Sequence, residues 1–238
     1  MEKKAFKPVP DVECLKYHGT PEKPDIKIFV SHRIDLDSET IDNPLYIPVR
    51  CGAVYDEREN VDMLGDDTGD NISEKRMSFC ELTVQYWAWK NVKADYYGLC
   101  HYRRYLSFSD KCSRKLDANN HIVEQCFGKK FKEKFGLTER EMCEKIKEKD
   151  IVSLVPIELK TLPDKPTVYK SLVNNPAVFP IEAVDQFIEI FKEKYPDYGQ
   201  DIDDYFNGYE WRAFNCYIMK KKFFFEYNEM LFGHRIES

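Results

Sequence analysis

The strongest chemical signal in this sequence is an apolar run that ends in a histidine and two arginines. Tyr97-Gly98-Leu99-Cys100 leads directly into His101-Tyr102-Arg103-Arg104-Tyr105. Paired guanidiniums at a strand end suit a bidentate grip on a diphosphate and can stabilise charge on a departing phosphate. An interior cannot hold both arginines without partners. They therefore reach solvent, pair with acids such as Asp66 or Asp67, or meet a ligand. A second segment, Asp66-Asp67-Thr68-Gly69-Asp70-Asn71-Ile72-Ser73-Glu74-Lys75, crowds acids ahead of a predicted helix. Carboxylates there suit sugar hydroxyls or a divalent cation, and the free N–H groups of a helix start suit an anion. An acidic capped loop is the plainer reading of the same residues. A third segment runs from Phe79 to Asn91. Glu81 and Gln85 share one helical face at i, i+4, whereas Trp87 and Trp89 cannot share one; taken alone, the segment reads better as a helix buried on two sides.

These residues need a scaffold, and the apolar pattern supplies one. Ile26 to Ser31 reads as a buried strand, with His32-Arg33 at its carboxyl end, where open α/β sheets bind ligands. A long loop is expected from Ile34 to about Ser73, then a helix capped by Asn71 or Ser73 that stops near Asn91. Ala94 to His101 is the second core strand. Positions 110–135 read as an excursion or lid. Thr138 to Lys149 is a helix with capping-box spacing at Thr138 and Glu141, Ile151 to Pro156 a strand, Pro180 to Lys194 a helix, Phe214 to Met219 a strand and Lys220 to Phe232 a last helix. The alternation predicts one α/β domain over 26–238, a mainly parallel sheet flanked by helices, preceded by a polar leader over 1–25 lying on the surface.

Composition excludes several classes. The chain has 238 residues, 42% of them hydrophobic, and a formal charge of −6. That is globular, and too acidic for bulk nucleic-acid binding. Its eight cysteines form no C-x-x-C pair, which argues against zinc ribbons and fits free thiols in a reducing cytosol. No apolar run is long enough for a membrane span, which leaves a cytoplasmic protein with room for peripheral contact at the inner membrane face through clusters such as Lys220-Lys221-Lys222. No dinucleotide fingerprint, Walker A loop or nucleophile elbow occurs. No D-x-D follows the strand before His101; Asp201-Ile202-Asp203-Asp204 has the letters but reads as a loop. A basic loop in that place favours arginines over a metal for neutralising a diphosphate, so no cofactor is required and Mn²⁺ or Mg²⁺ stays an option without an assigned ligand set.

Taken in chain order, the three segments resemble a bacterial family first catalogued as a domain of unknown function and later assigned to glycosyltransferases of capsule, exopolysaccharide and O-antigen synthesis. The matching residues are Asp67 to Lys75, Cys80-Glu81-Leu82-Thr83 with Tyr86-Trp87 and Trp89-Lys90-Asn91, and Tyr97 to Tyr105. Weaker matches are Ile28 to Ser31, Tyr46 to Val49 with Gly52-Ala53, and Asn215 with Ile218-Met219-Lys220. The resemblance implies a GT-A-like, Rossmann-like fold, a nucleotide-sugar donor and a growing glycan acceptor carried on a lipid. Some relatives resemble galactofuranosyltransferases, which makes UDP-galactofuranose the first donor to consider. One departure stands out: family members often carry a histidine-rich stretch after the position of Val168-Tyr169, whereas Ser171 to Pro176 contains none. With direct displacement at the anomeric carbon, Arg103 and Arg104 bind the diphosphate, assisted by His101 and His32. Asp66, Asn71, Glu74, Glu81 and Tyr105 complete the donor site, and Asp67 or Asp70 deprotonates the acceptor, with Glu210 a distant third. The alternative is a catalytically inactive nucleotide- or carbohydrate-binding scaffold.

Overall fold

The computed structural model describes residues 7–109, 116–117, 120–124, 127–128 and 130–233. The expected excursion over 110–135 therefore lies partly outside the described residues. In chain order the elements are β1 (Ile26–His32), β2 (Tyr46–Arg50), β3 (Leu64–Gly65), α1 (Arg76–Phe79), α2 (Leu82–Asn91), β4 (Tyr96–His101), α3 (Phe131–Phe135), α4 (Glu139–Ile146), β5 (Ile151–Ser153), β6 (Ile157–Glu158), α5 (Val168–Val173), α6 (Ile181–Lys194), α7 (Gly199–Asn207), β7 (Glu210–Trp211), β8 (Tyr217–Lys220) and α8 (Lys221–Phe232).

Contacts divide the chain into two compact units, a division that no shift in composition announces. The first holds 1–113, 124–153 and 215–238; the second holds 114–123 and 154–214. The first carries a six-stranded sheet in the order β3-β2-β1-β4-β8-β5. β1 pairs in parallel with β2 and β4, and β2 with β3. β8 runs antiparallel to β4 and β5. β1 is buried at all seven residues, as a central strand covered on both faces must be. On one face α2 and α8 pack their apolar sides: Trp87 meets Phe29 edge to face at 6.1 Å, and Phe224 stacks on Tyr97 at 4.5 Å. Trp89 is also buried, under Phe232, so both tryptophans serve the core. Elsewhere in this unit Asn43 Nδ2 donates to the Leu137 carbonyl at 2.8 Å beside the fully buried Met142 and Ile146.

The polar leader is tied down by a few bonds. Lys27, 3% exposed, donates from Nζ to the Lys16 carbonyl and to both oxygens of Asp25. The Lys7 carbonyl accepts from Gly69 N at 2.7 Å.

Three expectations differ from the structure. The loop over 34–73 contains β2, whose Pro48 argued against a strand. The single helix expected up to Asn91 is broken: a tight 3₁₀ turn over Ser73–Lys75 continues as α1, stops at Cys80 and restarts as α2. Asp201-Ile202-Asp203-Asp204 belongs to α7, where Ile202 and Phe206 sit one turn apart and are both buried. The second unit is a small core of its own, with Ile157, Leu159, Val168, Val184, Ile202 and Phe206 buried together and β6 paired with β7.

Candidate functional site

Two neighbouring parallel strands end side by side. The register sets Ser31 of β1 opposite His101 of β4, which brings His32-Arg33 and His101 to Arg104 to the same carboxyl edge of the sheet. His32 is 1% exposed. Its Nδ1 and Nε2 meet the hydroxyls of Ser38 and Thr40, each at 2.7 Å. Burial, with His101 nearby, lowers its pKa to about 4, so the ring is neutral at neutral pH. Serine and threonine satisfy either tautomer, and burial rather than hydrogen bonding decides the charge.

His101 is likewise lowered to about 4. Burial is the main cause; Glu81 opposes the shift, while Arg104, Arg103 and Arg33 add to it. The Arg103 N–H points at His101 Nδ1 at 3.3 Å. In the neutral ring this leaves the proton on Nε2, aimed elsewhere as a donor. The turn is closed by Arg104 N donating to the His101 carbonyl at 2.8 Å. Tyr102 lies against His101, with centroids 4.3 Å apart. Arg103 is exposed, its guanidinium 5.1 Å from the Tyr102 ring centre and without an ion pair among the described residues. Arg33, just past the end of β1, pairs with Asp35, which also faces Arg76 at 3.7 Å. Three arginines and two neutral imidazoles thus share one strand edge, a local concentration of positive charge on an acidic protein.

Glu81 joins this group from the start of α2. Asn215 Nδ2 donates to its Oε1 at 3.0 Å. Tyr105 packs edge to face on Tyr46 at 5.2 Å, and burial raises both hydroxyls above the usual tyrosine range.

The acidic loop is placed differently. Asp66 is fully buried and spent on the protein itself. It accepts from the N–H groups of Gly52 and Ala53, both at 2.9 Å, and from the Ser73 and Thr83 hydroxyls, both at 2.5 Å. Gly52 adopts φ +69°, and a side chain there would collide with Arg76. Asp66 therefore joins the 52–53 turn, the turn at Ser73 and α2; none of its hydrogen bonds is left for a ligand. Asp67 is ion-paired with Lys7 from the leader. Asp70 is exposed and accepts from Tyr86 at 3.2 Å. Asn71 closes its own turn by accepting from Ser73 N, and the Glu74 carbonyl accepts from Tyr55. This loop follows β3, three strands from β4, which at the usual spacing is roughly 14 Å from His101. Asp67 and Asp70 thus stand apart from the histidine–arginine cluster. Glu210 lies in the second unit, exposed and 3.7 Å from Arg212.

Sequence reasoning set Arg33 at the ligand-binding end of the first strand without giving it a role, and it missed Ser38 and Thr40, because nothing in their local pattern separates them from an ordinary polar loop. Among the described residues no three His, Cys, Asp or Glu side chains gather to hold a metal ion, and no helix is long and apolar enough to cross a membrane. A surface hollow of about 370 Å³, lined by Lys23, Glu139, Arg140 and Cys143, lies elsewhere, between the leader and α4.

A family model described as a domain of unknown function, DUF4422, matches residues 27–236. The chain belongs to that family. No curated protein matches. Among solved structures, the apo structure of the bifunctional glycosyltransferase WbbM is similar, with 30% identity and a TM-score of 0.79. The match covers 88% of this chain and 36% of that one, so this DUF4422 chain spans about a third of its relative's length. Six mostly parallel strands flanked by helices are the GT-A-like α/β arrangement.

Proposed function

We propose that this chain is a glycosyltransferase that moves a sugar from a nucleoside-diphosphate donor to a glycan acceptor. The observation that carries the reading is Arg103, exposed and without an ion pair among the described residues, beside Arg104 and a neutral His101 at the carboxyl edge of β4. An exposed arginine held by a turn, with no carboxylate to neutralise it, is suited to phosphate oxygens. The likeness to a bifunctional glycosyltransferase supports the same class.

In this reading Arg103 and Arg104 grip the diphosphate and stabilise its charge as the sugar leaves. His101 donates from Nε2, and His32 backs it as an uncharged neighbour. The loop over 66–74 would reach the far end of the donor through Asp70, Asn71 and Glu74, while Asp66 holds the scaffold. The donor is UDP-linked, with galactofuranose the first sugar to test, and the acceptor is a growing surface polysaccharide carried on a lipid at the inner membrane face. The arginines supply the charge a metal would otherwise supply, so Mn²⁺ is expected to be dispensable.

A thermal-shift screen of UDP, GDP, CMP and dTDP, each with Mn²⁺ and with EDTA, tests the class. Selective binding to the folded state raises the melting temperature by mass action. A shift with UDP that survives EDTA supports the arginine grip. No shift with any nucleotide sinks the reading and favours a non-catalytic scaffold.

A further inference from the structure

Given a transferase, something must take the acceptor's proton, and the geometry points to Glu81 as that base, with Asn215 as the residue that positions it. This rests on the proposed glycosyl transfer and reassigns a role expected of Asp67 or Asp70. Those carboxylates are engaged by Lys7 and Tyr86 and follow a strand three places away.

Three observations converge on Glu81. It is the acidic neighbour of His101, opposing the pull of three arginines on that ring. Its two oxygens are differentiated: Oε1 accepts from Asn215, and Oε2 has no partner among the described residues. Asn215 comes from 134 residues further along the chain, at the start of the return into β8.

The third observation is backbone strain. Cys80, immediately before Glu81, has φ +47° and ψ −131°, a region that non-glycine residues avoid and that marks functional sites when the surroundings enforce it. They do here. The Cys80 carbonyl accepts from Thr83 N at 3.2 Å, Thr83 Oγ1 at 3.1 Å and Cys51 Sγ at 3.0 Å. Asp66 in turn holds Thr83. An uninterrupted helix would need none of this; the break sets the direction in which Glu81 leaves the chain.

The step balances without a co-reactant. The acceptor hydroxyl gives its proton to Glu81 Oε2 as its oxygen bonds to the anomeric carbon. The bond from that carbon to the phosphate oxygen breaks, and its electron pair leaves with the nucleoside diphosphate between Arg103 and Arg104.

The test measures UDP release from UDP-galactofuranose, UDP-galactose, UDP-glucose and UDP-N-acetylglucosamine, with water and an octyl galactofuranoside as acceptors. Glu81→Gln should bind UDP as tightly as the wild type and lower kcat by roughly 10²- to 10⁴-fold, the usual share of a general base. Asn215→Ala should lower kcat about tenfold or more with the donor KM unchanged, as a small misplacement does. The double variant should be no slower than Glu81→Gln alone, since Asn215 acts through Glu81. Azide, which needs no deprotonation, should restore Glu81→Ala and yield a glycosyl azide. If Glu81→Gln keeps kcat within threefold, or raises the donor KM instead, Glu81 is not the base although the transferase stands. If the wild type neither binds a nucleotide nor releases UDP, the transferase reading and the base fall together.

Discussion

Replacing Asp66 by alanine separates a scaffolding carboxylate from a ligand-binding one. The substitution removes the acceptor of four buried donors. One of them has somewhere else to go: Thr83 Oγ1 also donates to the Cys80 carbonyl at 3.1 Å. The Ser73 hydroxyl already accepts from Val54 N at 3.2 Å, so its own proton is stranded together with the N–H groups of Gly52 and Ala53, and each stranded donor costs about 1–3 kcal/mol. Adding the looser hold on α2, the loss is about 4 kcal/mol, the upper range for a single replacement. For a chain of this length that lowers the melting temperature by about 8–16 °C. Thermal unfolding followed by circular dichroism reads the shift, with UDP binding measured alongside at 20 °C. Asp66→Asn keeps the volume but turns an NH₂ toward donors, so it should lose stability as well. A variant that melts within 2 °C of the wild type while losing UDP affinity would refute the scaffolding role and return Asp66 to the donor site.

His32 is neutral and buried when folded, with a pKa of about 4 against an ordinary 6.5. The unfolded chain binds a proton there that the folded chain does not, so this contribution is complete above pH 6.5 and declines as pH falls toward 4, by roughly 3 kcal/mol in all. Urea unfolding at pH 7 and pH 5 should show the wild type losing about 2 kcal/mol more than His32→Gln; equal losses would mean His32 is not the cause. Cys51, Cys100 and Cys216 are buried, and burial raises the Cys51 thiol to about 11. Iodoacetamide on the native protein should leave these three unmodified while the exposed Cys14 and Cys80 react. Glycine at Cys80 relieves strain of about 1–3 kcal/mol against about 0.5–1 kcal/mol of added chain freedom. Cys80→Gly should therefore melt at or above the wild-type temperature, whereas Cys80→Val should melt lower.

Strands and helices with a one-sided apolar rhythm were readable from the letters, and so was the edge that carries His101 and the arginines. Buried β1 and β4 announce themselves as short apolar runs, and Thr138 caps α4 where the spacing of Thr138 and Glu141 implied, its hydroxyl 3.4 Å from Glu141 N. What escaped reading depends on distant partners. Pro48 hid β2, because a strand tolerates proline when its neighbours supply the rest of the ladder. α7 looked like a polar loop because its buried positions, Ile202 and Phe206, are few and its acids many. The helix break at Cys80 has no glycine or proline to mark it; Thr83, Cys51 and Asp66 impose it from outside the segment. For the same reason the acidic loop looked more chemical than it is. The letters of Asp66 and Asp67 cannot show that one is spent on turns and the other on Lys7.

The most direct test of the arginine-gripped diphosphate is calorimetric titration of UDP into the wild type and Arg103→Ala at low and physiological salt. Arg103 makes no structural ion pair among the described residues, so the variant should keep its melting temperature while its affinity falls at least tenfold, the loss being largest at low salt. Equal affinity in the two proteins would contradict the grip and place the diphosphate, and with it the chemistry, somewhere other than the end of β4.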